Sequence, residues 1–351
     1  MTDIIVIGGG IAGVSAAARL AQDAHVTLIE DEPALGYHAS GRSAALFEEN
    51  YGSASVVALN KASAADHQPY LTPRGLMLLS RAGEEDQFRA DTETLGCAEI
   101  SLAEAHRLVP ILNDRITCAA YHDGAQDIDT DRMIQDFART VRAHGGNILT
   151  GARVTAITRG KRWEVTCGDA THNADILVNA AGAWADALAQ MAGIAPIGIT
   201  PLRRCMARIP APGGHDVSRW PIFFGVGETW YAKPDAGKLL VSPADEDPVQ
   251  PHDAWADDMV LAEGLDRYAQ HVTEPVTRLE TSWAGLRSFA PDRTLVLGPA
   301  PSDQTFVWCA GQGGYGFQTA PAASRLIADL LLGRRPEIDA HTIKSLSPAR
   351  F

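Results

Sequence analysis

The sequence lacks the features of disulfide-stabilised, metal-binding and nucleic-acid-binding proteins. Its 351 residues include five scattered cysteines, and no two of them form a C-x-x-C pair (Cys97, Cys118, Cys167, Cys205 and Cys309). Isolated cysteines of this kind predict buried free thiols in a reducing compartment and no metal site. The formal net charge of −13 is spread along the chain. An acidic chain of this kind argues against nucleic acid or an anionic membrane surface as a partner.

Targeting and membrane signals are also missing. No apolar run reaches the length of a membrane-spanning helix. The first seven residues carry Asp3 and no basic residue, and they run into glycines, which does not fit a signal peptide. We therefore expect a cytoplasmic protein, with one large domain or two interleaved domains.

The N-terminus has the pattern of a dinucleotide-binding βαβ unit. Residues 4–7 predict a buried strand, residues 11–21 a helix and residues 25–30 a second strand, with Gly8-x-Gly10-x-x-Gly13 at the first turn. Gly8 permits the tight turn, Gly10 lets a pyrophosphate approach the backbone, and Gly13 lets helix and strand pack closely. Glu30 is placed to accept a hydrogen bond from a ribose hydroxyl. The pattern predicts a bound dinucleotide but does not separate NAD from FAD.

Helix and strand patterns alternate at both ends and in the middle of the chain, which predicts a mixed α/β fold. Further helices are predicted at 44–61, 101–109, 130–144 and 320–332, and further strands at 77–80, 147–157, 163–167, 175–179, 296–297 and 306–309. Between residues 201 and 275, alternating segments predict an antiparallel sheet with one solvent-facing side (204–209, 230–233 and 239–241). We therefore expect a Rossmann-like domain with an antiparallel-sheet domain inserted into it.

A second glycine cluster precedes the last predicted helix, at residues 311–316. Together with the loop at 36–45 and the segments 127–130, 178–184 and 283–289, it carries a resemblance that covers nearly the whole chain. On these residues the sequence resembles the D-amino-acid oxidase and dehydrogenase superfamily of FAD flavoproteins. The closest pattern is that of the D-arginine dehydrogenases. Without the resemblance, the second glycine cluster could equally be a plain turn.

The resemblance implies FAD held between the two domains. The FAD-binding domain would comprise residues 1–65, 126–198 and 280–351, and the substrate-binding domain residues 66–125 and 199–279. The implied cofactor-binding residues are Gly8, Gly10, Ile11, Ala12, Gly13, Glu30, Ser40, Arg42, Ser43, Ala44, Val154, Ala181, Gly182, Trp184, Gly313, Gly314, Tyr315 and Gly316. Gly285 stands where sarcosine oxidases of the superfamily attach the flavin through a cysteine, so we expect non-covalent FAD.

The implied activity is oxidation of a D-amino acid by hydride transfer from its α-carbon to flavin N5. Water then converts the imino acid to a 2-oxo acid and ammonia. Arg287 would bind the substrate carboxylate, since a guanidinium binds a carboxylate bidentately, and Arg204 would assist it. Tyr231 and Tyr51 would face the substrate, and the carbonyl of Gly314 would accept from its amine. From spacing alone, these side chains could equally be a structural ion pair, a surface arginine and core tyrosines.

Two departures bear on the substrate. The arginine-specific pattern has histidine where this chain has Leu46 and glutamate where it has Leu76. A cationic side chain would lack a partner there, so we expect an apolar or small amino acid. Secondary amines (sarcosine, glycine or a hydroxyproline) and 2-hydroxy acids remain alternatives on the same fold. A flavoprotein without turnover and an NAD(P)-only dehydrogenase are more distant ones. The configuration of the substrate (D or L) and the electron acceptor (oxygen, quinone or a carrier) stay open.

Overall fold

The computed structural model describes all 351 residues. The strands are β1 (Asp3–Ile7), β2 (His25–Ile29), β3 (Leu46–Phe47), β4 (Leu71–Pro73), β5 (Leu76–Arg81), β6 (Ala98–Ile100), β7 (Ile116–His122), β8 (Gln126–Ile128), β9 (Asn147–Leu149), β10 (Val154–Arg159), β11 (Trp163–Cys167), β12 (Ala170–Ala174), β13 (Ile176–Asn179), β14 (Thr200–Ile209), β15 (Ile222–Gly225), β16 (Tyr231–Asp235), β17 (Lys238–Ser242), β18 (Asp247–Pro248), β19 (Thr281–Phe289), β20 (Val296–Pro299) and β21 (Phe306–Ala310). The α-helices are α1 (Ile11–Leu20), α2 (Ala54–His67), α3 (Glu85–Leu95), α4 (Leu102–Leu108), α5 (Thr130–Ala143), α6 (Ala185–Met191), α7 (Asp258–Ala269), α8 (Gly316–Leu332) and α9 (Ala340–Leu346). The predicted mixed α/β class is confirmed.

A six-stranded sheet contains the N-terminal βαβ unit, in the order β20-β21-β13-β1-β2-β9. Its neighbours are parallel except for β20 and β21. Successive residues of β1 enter different cores, because side chains alternate across a strand. Ile4 and Val6 join a core shared with α1, α5 and α8, whereas Ile5 and Ile7 join a core shared with Trp163 of β11. The sheet is therefore covered on both faces, as expected of parallel strands.

A second large sheet runs in the order β18-β14-β17-β16-β15-β5-β7-β6, and β19 pairs with β14 beside it. All its pairings are antiparallel except that between β15 and β5. The longest pairing joins β14 to β19, from Thr200 opposite Phe289 to Arg208 opposite Thr281. We placed β19 at the start of the last FAD-binding segment, but it pairs with this sheet. The proposed domain boundaries remain a prediction.

Three predicted element boundaries were wrong. The helix expected at 44–61 begins only at Ala54, because Leu46 and Phe47 form β3 against β8. The strand expected at 147–157 is two strands in different sheets, interrupted where Gly151 has a φ of 65°. The last helix begins at Gly316, four residues earlier than expected, and continues through Pro321.

The inserted sheet also differs from its predicted form. β14 and β17 were expected to have one solvent-facing side, but most of their residues are buried on both faces of the sheet. Helix α7, which the sequence reading missed, interrupts the predicted all-strand segment. Its Leu261 packs against Cys205 and Ala207 of β14, which explains part of that burial. None of the helices has the length and apolar composition needed to cross a bilayer.

Candidate active site

A cavity of about 580 Å³ connects the carboxyl ends of β1 and β2 with strands β14 and β19. Most of the proposed cofactor residues line it: Gly8, Gly10, Ile11, Ala12, Glu30, Ser40, Arg42, Ser43, Ala44, Val154, Ala181, Gly182, Trp184, Gly313, Gly314 and Gly316. Gly13 and Tyr315 do not line it. Of the proposed catalytic residues, Arg204, Tyr231, Arg287 and Gly314 line the opposite end, whereas Tyr51 does not.

At two positions of the first glycine cluster, the neighbouring backbone leaves no space for a side chain. Gly8 has a φ of 111°, and a Cβ on it would stand 2.3 Å from the carbonyl oxygen of Ala180. A Cβ on Gly13 would stand 1.8 Å from the carbonyl oxygen of Gly8, so Gly13 acts by packing α1 against β1. The amides of Gly10 and Ala12 donate to no group of the chain. Free amides at a helix N-terminus beside a cavity fit a bound pyrophosphate.

Polar side chains at the dinucleotide end of the cavity accept hydrogen bonds from the backbone. The carboxylate of Glu30 accepts from the amides of Gly9 and Glu32. Burial raises the pKa of Glu30, although both amides oppose that shift. Ser40 Oγ accepts from the amide of Ile11 at 2.9 Å. The predicted ribose acceptor is thus already ordered by the backbone.

Arg42, predicted to line the pyrophosphate and the flavin, is held by neighbouring loops. Its guanidinium donates to the carbonyl oxygens of Ala254 and Ala284 at 2.8 and 3.0 Å and pairs with Asp253. These contacts use three of its five N–H donors and pair its charge with Asp253, so Arg42 shapes the cavity wall and offers little to an anion.

The second glycine cluster forms the wall at the other end. Gly313 has a φ of 51°, a Cβ on it would overlap the ring of Phe289 at 2.2 Å, and its amide donates to Ser288 at 2.9 Å. The carbonyl of Gly314 accepts no hydrogen bond within the chain, and the first amides of α8 have no acceptor. The positive end of α8 thus faces the cavity, where it stabilises negative charge. Tyr315 lies outside and packs against Tyr51 and Phe289.

Pairing of β14 with β19 brings the two arginines together. Arg204 stands opposite Gly285, and Arg287 stands opposite Leu202. Opposed residues share a face of the sheet, as do residues two apart, so Arg204 and Arg287 are diagonal neighbours on one face. Arg204 is buried, with 7% of its surface exposed, and it is therefore not the surface arginine that spacing alone allowed.

The two arginines differ in their partners. Arg204 donates to Glu228 at 3.1 Å and to Glu246 at 3.2 Å. Arg287 makes no side-chain hydrogen bond, and its one ion contact is with Glu228 at 3.9 Å. Although burial lowers it, Tyr51, Tyr231 and Glu228 hold the pKa of Arg287 above its ordinary value. Arg287 thus presents to the cavity a charged guanidinium that makes no hydrogen bond.

Glu228 is a site residue that sequence reasoning missed. Its Oε1 accepts from Arg204, and its Oε2 accepts from the hydroxyl of Tyr51 at 2.9 Å. Its φ of 51° is rare for a residue with a side chain. Although burial raises it, Arg287 and Arg204 hold the pKa of Glu228 below its ordinary value. An acidic residue beside Gly227 was a weak signal, and its arginine partners lie too far away in sequence to be seen.

The two proposed tyrosines have different settings. Tyr231 on β16 is buried, lines the cavity, and has no hydrogen-bond partner within the chain. Tyr51 does not line the cavity; its hydroxyl donates to Glu228, and its backbone carbonyl accepts from Asn60 at 3.1 Å. Burial and the neighbouring Glu228 raise the pKa of the Tyr51 hydroxyl. Tyr231 therefore offers a free hydroxyl to a ligand, whereas that of Tyr51 is engaged.

Lys233, whose role was not predicted from the sequence, holds the loop before β3 in place by hydrogen bonds. Its Nζ donates to the carbonyls of Ala44 and Ala45 at 3.1 and 3.0 Å, and it pairs with Asp127 at 2.9 Å. Ala44 and Ala45 line the cavity. The lysine therefore joins the substrate-side sheet to the predicted flavin loop.

Leu46 and Leu76, on which the substrate prediction depends, lie in different parts of the structure. Leu46 lines the cavity, whereas Leu76 is in the core and does not. Glu48, the acidic residue two positions after Leu46, pairs with His122 at 2.8 Å and does not line the cavity. The acidic residues that line the cavity belong to its dinucleotide end (Glu30, Asp31, Glu32 and Asp253).

Glycine turns at both ends, unengaged helix amides and a half-buried arginine without a hydrogen-bond partner are the arrangement expected of an FAD-dependent oxidoreductase. The chain belongs to the DAO family of FAD-dependent oxidoreductases, whose family model matches residues 3–330. The family binds FAD, and the residues described above fit it.

Individual relatives are distant. A glycine oxidase of Pseudomonas putida is 24% identical over 96% of this chain and 96% of its own length. A mitochondrial dimethylglycine dehydrogenase of Rattus norvegicus is 24% identical over 99% of this chain, which spans 45% of that protein. The crystal structure of glycine oxidase from Geobacillus kaustophilus superposes with a TM-score of 0.84 at 21% identity, covering all of both chains. This last likeness establishes the shared fold.

Proposed function

We propose that the protein oxidises an α-amino acid, with a small or apolar side chain and of D configuration, to its imino acid. Water then releases the 2-oxo acid and ammonia. The observation that carries this proposal is the guanidinium of Arg287, which is charged, unengaged by hydrogen bonds and open to the same cavity as the two glycine clusters. A half-buried arginine without a hydrogen-bonding partner is costly unless a ligand supplies one. A carboxylate is the group whose two oxygens fit the paired N–H donors of a guanidinium.

The residues of the chain bind and orient the substrate. Arg287 takes the carboxylate, and the unoccupied carbonyl of Gly314 accepts from the substrate amine beside it. The free hydroxyl of Tyr231 lies at the same end of the cavity and serves as a second polar contact. When bound, FAD accepts the hydride from the α-carbon. Fixing carboxylate and amine at two points orients that carbon, which is the main requirement on the protein.

The cavity wall favours an uncharged side chain. Ala44, Ala45, Leu46 and Met206 line its substrate end, where no acidic residue lines it. A desolvated guanidinium or ammonium would have no free counter-ion there, because the nearby Glu228 is already paired with Arg204. We therefore propose that arginine and lysine are poor substrates, an expectation that now depends on Leu46 and no longer on Leu76.

A second candidate keeps the same site and changes the amine. Both curated relatives named above act on glycine or its N-methylated derivative, by their names. Glycine and sarcosine also present a carboxylate and an amine on one carbon, so Arg287 and Gly314 would serve them as well. The two candidates differ in whether the α-carbon of the substrate has a side chain.

Anaerobic bleaching of the visible flavin band tests the proposal and separates the candidates. The panel is D- and L-alanine, D-leucine, D-methionine, D-arginine, glycine, sarcosine and lactate, with methylamine as the matched amine without a carboxylate. We expect bleaching by D-alanine or D-leucine, or by glycine and sarcosine for the second candidate, and none by methylamine. Bleaching by lactate alone, or as fast by methylamine, contradicts the proposal. Readmitting air or adding a quinone then identifies the electron acceptor.

A further inference from the structure

Arginines and glutamates alternate at the substrate end of the cavity. Arg293 donates to both oxygens of Glu246 at 2.9 Å, and Glu246 accepts from Arg204 at 3.2 Å. Arg204 donates to Glu228 at 3.1 Å, and Glu228 lies 3.9 Å from Arg287. The row contains three positive and two negative side chains, so one positive charge is left without a counter-charge.

The surplus charge is located at Arg287. Both terminal nitrogens of Arg204 are engaged by glutamates. Among the other arginines that line the cavity, Arg42 is paired with Asp253, and Arg153 is exposed beside Asp31 at the far end. Arg287 is therefore the arginine at the substrate end that can receive a carboxylate.

A second carboxylate on the same substrate would meet unfavourable surroundings. The cation beside Arg287 on its sheet face is Arg204, which already pairs with Glu228 and Glu246. Lys233 is engaged by Asp127 and two carbonyls. The second carboxylate would thus be desolvated without a partner and would lie near the charge of Glu228, both of which cost free energy.

We propose that Glu228 determines substrate specificity: by occupying Arg204 it restricts the site to amines with one carboxylate and excludes dicarboxylic amines. This inference rests on the proposed function, because it assumes that the substrate carboxylate binds Arg287. Glu228 acts here through Arg204 and through its own charge. Its unusual backbone conformation, in a turn that β15 and β16 hold in place, keeps its carboxylate between the two arginines.

Paired substrates with the FAD-loaded enzyme test this role. Sarcosine and iminodiacetate share the secondary amine and differ by one carboxylate, and D-alanine and D-aspartate differ in the same way. We expect the wild-type enzyme to favour the monocarboxylate of each pair by at least a hundredfold in kcat/KM. Glu228→Gln, which keeps the shape and removes the charge, lowers that ratio at least tenfold.

Two variants separate charge from structure. Glu228→Asp keeps the charge, so it preserves the preference. Tyr51→Phe removes the other hydrogen-bonding partner of Glu228 without altering the charge count, and the ratio stays within about twofold of wild type even if the absolute rates fall. An equal shift in all three variants would show a merely structural role and overturn the proposal.

Binding without turnover gives an independent result. Flavin difference spectra report the affinities for acetate and malonate at fixed ionic strength. Wild type should bind acetate more tightly, and Glu228→Gln should gain affinity for malonate by at least tenfold. Equal wild-type affinities, or no gain in the variant, overturn the inference. If no amine is oxidised, the proposed function fails, but this titration still decides the role of Glu228.

Discussion

The guanidinium of Arg287 lies against Gly314: a methyl group on Gly314 would stand 3.1 Å from its Nη1 atom and 3.2 Å from its central carbon. The proposed carboxylate receptor and the proposed flavin-side loop are thus in direct contact. The amide of Gly313 donates to Ser288, the residue after Arg287, at 2.9 Å, which fixes the two segments relative to each other. A carboxylate on Arg287 would therefore be held next to the Gly314 carbonyl.

Gly314→Ala should impair turnover and spare the fold. Its backbone does not have a positive φ, so alanine causes no backbone strain there. Its methyl group crowds Arg287 instead, and we expect kcat/KM to fall at least tenfold, about 1.4 kcal/mol. The free energy of unfolding should change by no more than about 0.5 kcal/mol. Gly160→Ala is the matched control, since a Cβ there meets nothing closer than 3.9 Å. Unchanged kcat/KM in Gly314→Ala would separate this glycine from the substrate.

Lys233→Met should destabilise the protein and weaken its hold on FAD. The substitution leaves the carbonyls of Ala44 and Ala45 without their donor and Asp127 without one of its two cations. Breaking a buried pair of this kind costs about 3 kcal/mol. Denaturant unfolding and the flavin-to-protein absorbance ratio measure the two effects.

Lys238→Met is the control for Lys233→Met, because Lys238 pairs with Glu280 at 2.9 Å on the protein surface. A surface pair contributes less than about 1 kcal/mol. Equal losses in both variants would show that the Lys233 contacts contribute no more than surface ones.

Ionisation of Glu228 should make the stability of the fold depend on pH in the acidic range. Its pKa is lowered from an ordinary 4.5 by Arg287 and Arg204, so the folded protein keeps this carboxylate charged at pH values where the unfolded chain protonates it. That stabilisation is present above the ordinary pKa and is lost as the pH falls through the lowered one. Between about pH 5 and pH 3, the Tm of Glu228→Gln should therefore fall less than that of wild type.

Glu93→Gln, at an exposed helical glutamate, is the control for this pH series. Its Tm should follow that of wild type throughout the range. If Glu228→Gln also follows wild type, the two arginines do not stabilise the carboxylate of Glu228.

The flavin should be released completely on denaturation. No cysteine lines the cavity, and Gly285 occupies the wall where the superfamily resemblance places the linking cysteine. Acid precipitation should leave all the yellow colour in the supernatant and a colourless pellet. A fluorescent protein band after denaturing electrophoresis would contradict non-covalent binding.

Local patterns predicted the parts of the structure that short segments determine. Gly8 and Gly13 could be assigned from spacing because each is required within one βαβ unit. The helix predicted at 101–109 has a local start signal, because the hydroxyl of Ser101 accepts from the amide of Glu104 as the motif of serine followed by glutamate predicts. The helix expected at 44–61 was wrong because pairing of β3 with the distant β8 overrides local preference there.

The arginine–glutamate row could not be predicted from the sequence. It depends on the register between β14 and β19, which places Arg204 and Arg287 on one face although 83 residues separate them. It also depends on a turn that gives Glu228 a left-handed backbone, a conformation that sequence patterns assign mainly to glycine and asparagine. The core position of Leu76 was likewise decided by strand pairing, with Ile222 and His122 as its neighbours.

The most direct test of the account is the substrate dependence of anaerobic flavin reduction in wild type and Arg287→Met, with Arg89→Met as an exposed arginine control. The account predicts that Arg287→Met, loaded with FAD to the same extent, needs at least a hundredfold more amino acid for half-maximal reduction, about 2.7 kcal/mol of lost binding. Arg89→Met should behave as wild type does. Half-maximal reduction of Arg287→Met at the wild-type concentration would contradict the claim that Arg287 receives the substrate carboxylate.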